Sequence, residues 1–136
     1  MRILEAATVE QVEAAAALYD GPPVRLATDA FLADPGHHLL VALDDDGRTV
    51  GFVSGVEMTH PDKGTEMFLY ELAVARDARH QGIGSALTSS LAELARSKGC
   101  YGMWVGVDTD NGAAHATYRA AGGSKPQPCD LITWTF

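Results

Sequence analysis

The clearest periodic pattern of hydrophobic positions lies in the second half of the chain. Ile83, Leu87, Leu91 and Leu94 follow one another at intervals of four, four and three residues. This spacing places the four side chains on one face of a helix. The helix is expected to run to about Lys98, where the following glycine supplies its C-cap. The pattern therefore predicts an amphipathic helix that packs one face on a hydrophobic core.

Elsewhere the apolar residues form short runs that predict strands. These runs are Ile3–Ala6, His38–Leu43, Thr49–Met58, Glu66–Val74, Met103–Val107 and Cys129–Phe136. Three further helices are predicted: one opened by the capping residue Thr8, one starting near Thr28, and one from about Asn111 to Ala121. The resulting order, β-α-α-β-β-β-α-β-α-β, predicts an α/β (α+β) fold with a mixed sheet and helices on its faces.

Length and charge narrow the class of protein. The chain has 136 residues, 46% of them hydrophobic, which predicts one domain over residues 1–136 with its own core. Its net charge of −8 argues against a nucleic-acid partner, because phosphate recognition needs a positive field. The acidity fits a cationic small-molecule partner, although it is equally explained by solubility alone.

Several other classes of protein find no support in the sequence. Two cysteines, Cys100 and Cys129, make neither a disulfide framework nor a zinc-binding spacing. The Asp44–Gly47 run is typical of a hairpin turn, and the histidines show no metal-ligand spacing, so no metal is expected. No apolar run reaches the roughly 18–20 residues of a membrane span, and no signal peptide is recognisable. We therefore expect a cytoplasmic protein without a membrane partner.

The segment Arg79–Ser85, between a strand and the periodic helix, carries the most informative chemistry. Its sequence, Arg-His-Gln-Gly-Ile-Gly-Ser, would direct several backbone N–H groups to one point at the helix N-terminus. Such a point favours an anion such as a pyrophosphate. Residues 76–98 carry four basic and two acidic side chains in an otherwise acidic chain. A glycine-rich helix start with ordinary solvated charges is the alternative.

At these residues the chain resembles the GNAT superfamily of N-acetyltransferases. The motif Arg79-x-x-Gly82-x-Gly84 after the strand Tyr70–Val74 is similar to the acetyl-CoA-binding motif of that superfamily. The downstream pattern Asn111-x-x-Ala114-x-x-x-Tyr118-x-x-x-Gly122 resembles its next helix. A closer resemblance, resting on these segments and on Val105–Tyr118, is to the aminoglycoside 3-N-acetyltransferases. The resemblance implies a mostly antiparallel sheet with a splay between its two central strands.

The resemblance also implies a co-substrate and its binding residues. Acetyl-CoA would lie in the splay, with its pantetheine arm on the backbone of Leu72 and Val74 and its pyrophosphate on the glycine-rich loop. The side chains of Leu72 and Val74 are equally well explained as core. The implied acetyl-CoA-binding residues are Leu72, Ala73, Val74, Arg79, His80, Gln81, Gly82, Ile83, Gly84, Ser85, Asn111, Ala114 and Tyr118.

The implied reaction moves an acetyl group to an amine of an aminoglycoside by direct attack. Glu71 would be the base, or else a solvated or salt-bridged side chain. The Val74 N–H would stabilise the oxyanion, and Tyr118 would protonate the leaving thiolate unless it is a core tyrosine. Another amine as acceptor, or a non-catalytic acyl-CoA-binding module, are the alternative functions.

Three further carboxylates are candidates for binding the cationic amine. Asp108, Asp110 and Asp130 follow or begin strands near one edge of the predicted sheet, where they would attract ammonium groups. Each could instead be a turn or capping residue, Asp110 in particular at the start of the last helix. The chain has one predicted strand after Gly123, ending in Trp134 and Phe136. A partner copy could complete this strand, which suggests a homodimer.

Overall fold

The computed structural model describes residues 1–136 and contains one five-stranded sheet. The strands lie side by side in the order β1-β2-β3-β4-β5. The first three pairings are antiparallel, and only β4 and β5 run parallel. The strands span Arg2–Glu5 (β1), His37–Leu43 (β2), Thr49–His60 (β3), Gly64–Val74 (β4) and Met103–Val105 (β5). The predicted mixed, mostly antiparallel sheet is therefore confirmed.

The structure has four α-helices. They span Val9–Glu13 (α1), Arg25–Ala33 (α2), Ile83–Ser97 (α3) and Gly112–Ala120 (α4). The first helix is shorter than predicted, because the chain tightens into a 3-10 turn over Ala16–Leu18. The second begins before the predicted Thr28, since the ion pair between Arg25 and Asp29 forms within its first turns. No helix is long and apolar enough to cross a membrane.

The long helix α3 builds the larger core on one face of the sheet. Leu87 and Leu91 are fully buried against sheet residues such as Met67 and Leu69, which confirms the predicted apolar face of this helix. Gly55 on β3 allows the close approach, because a Cβ there would lie 2.9 Å from a methyl carbon of Leu91. The helix is therefore held close to the sheet, and its N-terminus has a fixed position.

A second core forms on the opposite face, under α1 and α2. It contains Val12 and Ala15 from the first helical segment, with Val41 and Phe52 from the sheet. The predicted capping box opens α1, since the Thr8 hydroxyl accepts the N–H of residue 11 and the side chain of residue 11 returns to the Thr8 N–H. The helices therefore cover both faces of the sheet, as predicted.

The predicted last strand, Cys129–Phe136, is wrong for this structure. Residues 124–136 form no helix or strand and make no backbone–backbone hydrogen bond. An alternating segment becomes a strand only beside a sheet edge, and Pro126 and Pro128 hold the chain before it extended. The predicted strand at Met103–Val107 is also two residues too long, because β5 pairs with β4 only as far as Val105.

A histidine between two carboxylates links three neighbouring strands on the α3 face. His38 on β2 is only 3% exposed. Its Nδ1 lies 2.6 Å from Oε1 of Glu5 on β1, and its Nε2 lies 2.7 Å from Oε2 of Glu57 on β3. The ring thus bridges carboxylates of the strands on either side of β2. This cluster therefore holds β1 and β3 onto β2 far from the splay.

Replacing His38 with alanine is expected to lower the free energy of unfolding by about 2–3 kcal/mol, because it leaves a cavity and two uncompensated carboxylates. Urea unfolding followed by circular dichroism measures the change. The matched control is His60→Ala, whose exposed ring pairs with Asp62 and should contribute little. Equal losses for the two variants would contradict a stabilising role for the buried cluster.

Candidate active site

The sheet opens between its two parallel strands. β5 pairs with β4 only from Met67 to Leu69. Beyond this point β4 continues from Tyr70 to Val74 along β3, without a neighbour on its other side. The result is a splay whose one wall is the unpaired edge of β4.

A β-bulge at Tyr70 decides which backbone groups face the splay. Glu71 pairs with Ser54, whereas Leu69 pairs with the next residue of β3, Gly55, so that Tyr70 is the extra residue on β4. Before the bulge, odd-numbered residues of β4 direct their backbone groups toward β5, as the Met67 N–H does. After the bulge this alternation is shifted by one residue, so the even-numbered residues direct their backbone groups to the side of β5.

The backbone groups of Leu72 and Val74 consequently face the open side of β4. The Ala75 N–H donates to the carbonyl of Val50 on β3. Successive residues of a strand direct their backbone groups to opposite sides, so those of Leu72 and Val74 face away from β3. The Val74 carbonyl accepts a bond from Arg79 Nε at 3.2 Å, which agrees with this orientation. The side chains of Leu72 and Val74 pack on the α3 core, while that of Ala73 packs on the opposite core. The side chains thus serve packing. The backbone of Leu72 and the N–H of Val74 are left available for a ligand, whereas the Val74 carbonyl is bound by Arg79.

The glycine-rich loop ends at the N-terminus of α3, at the mouth of the splay. His80 and Gly82 adopt positive φ angles of 61° and 79°. The first backbone bond of the helix runs from the Ala86 N–H to the Gly82 carbonyl, and no side chain caps the helix. The N–H groups of residues 83–85 are therefore without helical partners and available to an anion. Arg79, exposed beside them, adds a positive charge.

Gly82 and Gly84 in this loop are needed for different structural reasons. Gly82 has open space where a Cβ would lie, but its positive φ favours glycine. A Cβ on Gly84 would lie 3.1 Å from Cγ2 of Thr117, so this glycine allows α4 to pack on the first turn of α3. The Ser85 hydroxyl also donates to the Thr117 carbonyl. The loop and α4 therefore form one unit.

Tyr118 projects from α4 on the α3 face of the sheet. It is half-buried against the α3 core, and its hydroxyl has no hydrogen-bond partner within the protein. Burial raises the pKa of this phenol. The hydroxyl therefore stays protonated at neutral pH and is free to donate a hydrogen bond or a proton. Asn111 is the N-cap of the same helix, where its Oδ1 accepts the N–H of Ala114 at 3.0 Å.

Glu71 lies on the opposite side of β4, beside the segment between α1 and α2. Strand alternation puts it on the face of Ala73, away from Leu72. Burial raises the pKa of its carboxyl, and the nearby Asp20 carboxylate raises it further. A raised pKa makes the ionised carboxylate a stronger base. Glu71 and Tyr118 thus approach the splay from opposite faces of the sheet.

Tyr19 and Asp20 lie near Glu71 and are further candidate site residues, which the sequence did not indicate. The Tyr19 hydroxyl donates to the Val12 carbonyl at 2.9 Å. Burial, with the charge of Glu71, raises the pKa of Tyr19 to about 12. The turn at Gly21-Pro22-Pro23 was recognisable from the sequence, but nothing in the sequence places the residues before it beside Glu71.

The three candidate aspartates are not gathered at one point. Asp108 and Asp110 are exposed in the loop after β5, at the edge of the sheet where β4 also ends. The helix cap is Asn111 and not Asp110, whose backbone carbonyl instead accepts the Gly112 N–H. Asp130 is exposed in the C-terminal tail, outside any helix or strand. No group of three or more His, Cys, Asp or Glu side chains is arranged to hold a metal ion.

Comparison with known proteins identifies the family. Residues 2–122 match the Acetyltransferase (GNAT) family, and the chain belongs to that family. Mycothiol acetyltransferase of Arthrobacter sp. is 34% identical over 101 residues, which are 72% of this chain and 30% of that protein. Thialysine N-epsilon-acetyltransferase of Bos taurus is 34% identical over 104 residues, 71% of this chain and 61% of that protein. The matched region spans 30–40% of the first three curated relatives.

Solved structures share the fold over nearly the whole chain. An aminoglycoside acetyltransferase from an uncultured soil metagenomic sample, in complex with trehalose, superimposes with a TM-score of 0.90 at 18% identity, covering 99% of this chain and 95% of that one. The aminoglycoside N-acetyltransferase AAC(6')-Iy in complex with CoA gives a TM-score of 0.83 at 18% identity, covering 99% and 100%. At these identities the likeness establishes the fold.

Proposed function

We propose that residues 1–136 act as a single domain that transfers the acetyl group of acetyl-CoA to a primary amine. The main support for this proposal is that two sets of free backbone groups follow one another without a break. The free backbone edge of β4 at Leu72 and Val74 leads directly to the uncapped N–H groups at the start of α3. A ligand with an extended arm that ends in a pyrophosphate fits these groups: the arm would pair with the β4 edge, and the pyrophosphate with the N–H groups of α3.

Acetyl-CoA binds, in this proposal, along the open edge of β4. The pantetheine amides pair with the backbone of Leu72 and Val74, as an added strand would. The pyrophosphate takes the N–H groups of the loop from Gln81 to Ser85, and Arg79 adds its charge. Asn111 and Ala114 act at the start of α4, which packs on this loop. The CoA bound in the structural neighbour AAC(6')-Iy supports this choice of co-substrate.

Acetyl transfer then needs a base, an oxyanion donor and an acid. Glu71, directly or through water, takes a proton from the substrate ammonium so that the neutral nitrogen can attack the thioester carbonyl. The Val74 N–H, on the open edge of β4, stabilises the negative charge that develops on the thioester carbonyl oxygen. When the carbon–sulfur bond breaks, Tyr118 donates its proton to the thiolate. The nitrogen then loses its second proton to the Tyr118 phenolate, directly or through water, which restores the phenol. The products are an amide and free CoA.

The acceptor is proposed to be an aminoglycoside. Glu71 and Asp20 place two carboxylates on one side of the splay, and Asp108 and Asp110 add two more at the same edge of the sheet. Such an edge attracts a molecule with several ammonium groups. The soil metagenomic neighbour has also been solved with sisomicin. The 3-N position remains a prediction, whereas AAC(6')-Iy is a 6'-N enzyme by name.

A smaller amine is the second candidate acceptor. The bovine relative is named for thialysine, an amino acid, and it matches this chain at higher identity than the aminoglycoside enzymes do. Asp20 and Glu71 would suffice to bind a single ammonium group.

A CoA-release assay with a panel of amines tests the proposal. The panel contains sisomicin, kanamycin, thialysine, a polyamine and a peptide, each at the same concentration and pH. Release above the acetyl-CoA blank is expected with the aminoglycosides, and nuclear magnetic resonance of the product shows whether the 3-N or the 6'-N nitrogen is acetylated. Release with thialysine alone would overturn the aminoglycoside assignment and leave the transferase assignment standing.

Replacing Gly82 with alanine is expected to weaken acetyl-CoA binding, because a φ of 79° costs an alanine about 1–2 kcal/mol and the loop amides must shift. Titration calorimetry measures the affinity. Gly99→Ala is the matched control, since Gly99 has a φ of 80° and open space for a Cβ at the opposite end of α3 from the loop. Equal acetyl-CoA affinities for the two variants would argue against a role for the Gly82 loop in binding.

A further inference from the structure

Arg48, in the turn between β2 and β3, has no role in the reaction described above. Its Nη2 lies 2.9 Å from Oδ2 of Asp77, in the 3-10 turn over Arg76–Ala78. This 3-10 turn leads from the end of β4 into the glycine-rich loop. The ion pair therefore joins the β2–β3 turn to the segment directly before the proposed acetyl-CoA site.

The β2–β3 turn fixes the Arg48 side chain from its other side. Oδ1 of Asp44 accepts the backbone N–H groups of Asp46 and Arg48 at 3.1 and 2.9 Å. Oδ2 of the same carboxylate accepts Arg48 Nε at 3.1 Å. The bond from the Arg48 N–H is the main cause that lowers the pKa of Asp44, and the bonds to Asp77 and Asp44 raise the pKa of Arg48. The guanidinium is therefore charged and directed at Asp77.

The glycine-rich loop has few bonds of its own. The N–H groups of residues 80–82 donate no backbone hydrogen bond. On its C-terminal side the loop is held by α4, through the contacts with Thr117 described above. On its N-terminal side, Ala78 is buried in the core, and the side chain of Asp77 is bonded to Arg48. The position of the free loop amides therefore depends on contacts at both ends of the loop.

A fixed position of this segment favours ligand binding. Several N–H groups must converge on one anion, and ordering a backbone segment at the moment of binding costs free energy. Contacts that order the segment beforehand reduce this cost. The bond between Arg48 and Asp77 is such a contact, and it lies two residues before Arg79, where the loop begins.

We propose that Arg48 is a positioning residue for acetyl-CoA binding. Its ion pair with Asp77 holds the 3-10 turn over Arg76–Ala78, so that the loop amides are in place for the pyrophosphate. This inference rests on the proposed function, because it assigns Arg48 to the same acetyl-CoA site. The polar contacts of Arg48 are with Asp44 and Asp77, so its removal affects the affinity for acetyl-CoA and not the chemical step.

Asp77→Ala distinguishes a positioning role from simple charge attraction. Acetyl-CoA is an anion, so the loss of a carboxylate near its site would tighten binding if charge alone mattered. Loss of the positioning bond should instead raise the Kd by about two- to fivefold, as expected for an exposed ion pair. Arg48→Gln should also raise the Kd, and adding Asp77→Ala to it should raise the Kd no further, because the bond is already lost.

Titration calorimetry with acetyl-CoA measures these affinities, at an ionic strength of about 0.15 M to screen distant charges. Asp29→Ala and Arg25→Gln are the matched controls, because they break an exposed ion pair on α2. Both should leave the Kd for acetyl-CoA unchanged. In Asp77→Ala and Arg48→Gln, the kcat at saturating acetyl-CoA and the KM for the amine should stay at the values of the unaltered protein. A general loss of structure would change all of these quantities.

The outcomes separate this inference from the proposed function. If Asp77→Ala binds acetyl-CoA as tightly as the unaltered protein, or more tightly, the positioning role is overturned and the transferase assignment stands. An equal loss of affinity in Asp29→Ala would overturn it as well. An unaltered protein that does not bind acetyl-CoA would overturn the proposed function and this inference with it.

Discussion

Replacing Glu71 with glutamine is expected to lower kcat for acetyl transfer by about 10²–10⁴-fold, the usual contribution of a positioned base. The amide keeps the size of the side chain but cannot take a proton from the ammonium. The acetyl-CoA affinity should hardly change, because Glu71 lies on the opposite side of β4 from the α3 core that holds the glycine-rich loop. Steady-state CoA release and calorimetry measure the two quantities.

The control for this substitution is Glu93→Gln on the exposed side of α3, which removes a carboxylate of the same type outside the site. It should leave kcat near the value of the unaltered protein. Wild-type turnover in Glu71→Gln would show that another group or water accepts the proton, and Glu71 would lose its assigned role.

The pH dependence of kcat/KM is a second test of the role of Glu71 as the base. The base form exists above the pKa of the carboxyl, so activity falls as the pH falls through that value. Burial and Asp20 raise this pKa, which moves the acidic limb of the kcat/KM profile toward neutral pH. Asp20→Asn removes one of the two causes and should shift the acidic limb to lower pH. An unmoved limb would separate Asp20 from the titrating group.

The second large effect is expected for Tyr118→Phe. The ring keeps its packing on the α3 core, whereas the thiolate loses its proton donor, so kcat should fall by about 10²-fold or more with acetyl-CoA affinity nearly unchanged. Burial raises the pKa of Tyr118, which keeps the donor protonated well above neutral pH. CoA release over a range of pH measures the loss.

Tyr101→Phe is the matched control, because Tyr101 is an exposed tyrosine near the start of β5 and outside the splay. It should retain the turnover of the unaltered protein. If Tyr118→Phe also retains it, the leaving thiolate takes its proton from another source, and Tyr118 is a packing residue.

The helical period of Ile83, Leu87 and Leu91 was enough to predict α3 and its buried face, because burial follows directly from such a spacing. The glycine-rich loop was predictable for a similar reason, since it is continuous in sequence. The β-bulge at Tyr70 was not, because a single extra residue in a strand changes no local pattern. Yet this bulge determines which backbone groups face the splay.

The other features that the sequence did not predict depend on residues that are distant in the chain but close in the fold. Nothing local to Asp20 indicates that it lies beside Glu71, which is 51 residues further along the chain. The same holds for His38, whose two carboxylate partners come from different strands. The tail shows the converse: residues 129–136 have the local pattern of a strand, but the chain provides them with no neighbour, and pairing cannot be predicted without one.

The site is proposed to transfer an acetyl group to an amine. Mass spectrometry of the amine panel after incubation with acetyl-CoA and the protein tests it most directly. We expect an aminoglycoside that gains one acetyl group, with one CoA released for each amide formed and about 10²–10⁴-fold slower product formation with Glu71→Gln. Acetyl-CoA that binds to the folded protein, with no acetylated amine from any member of the panel, would contradict it.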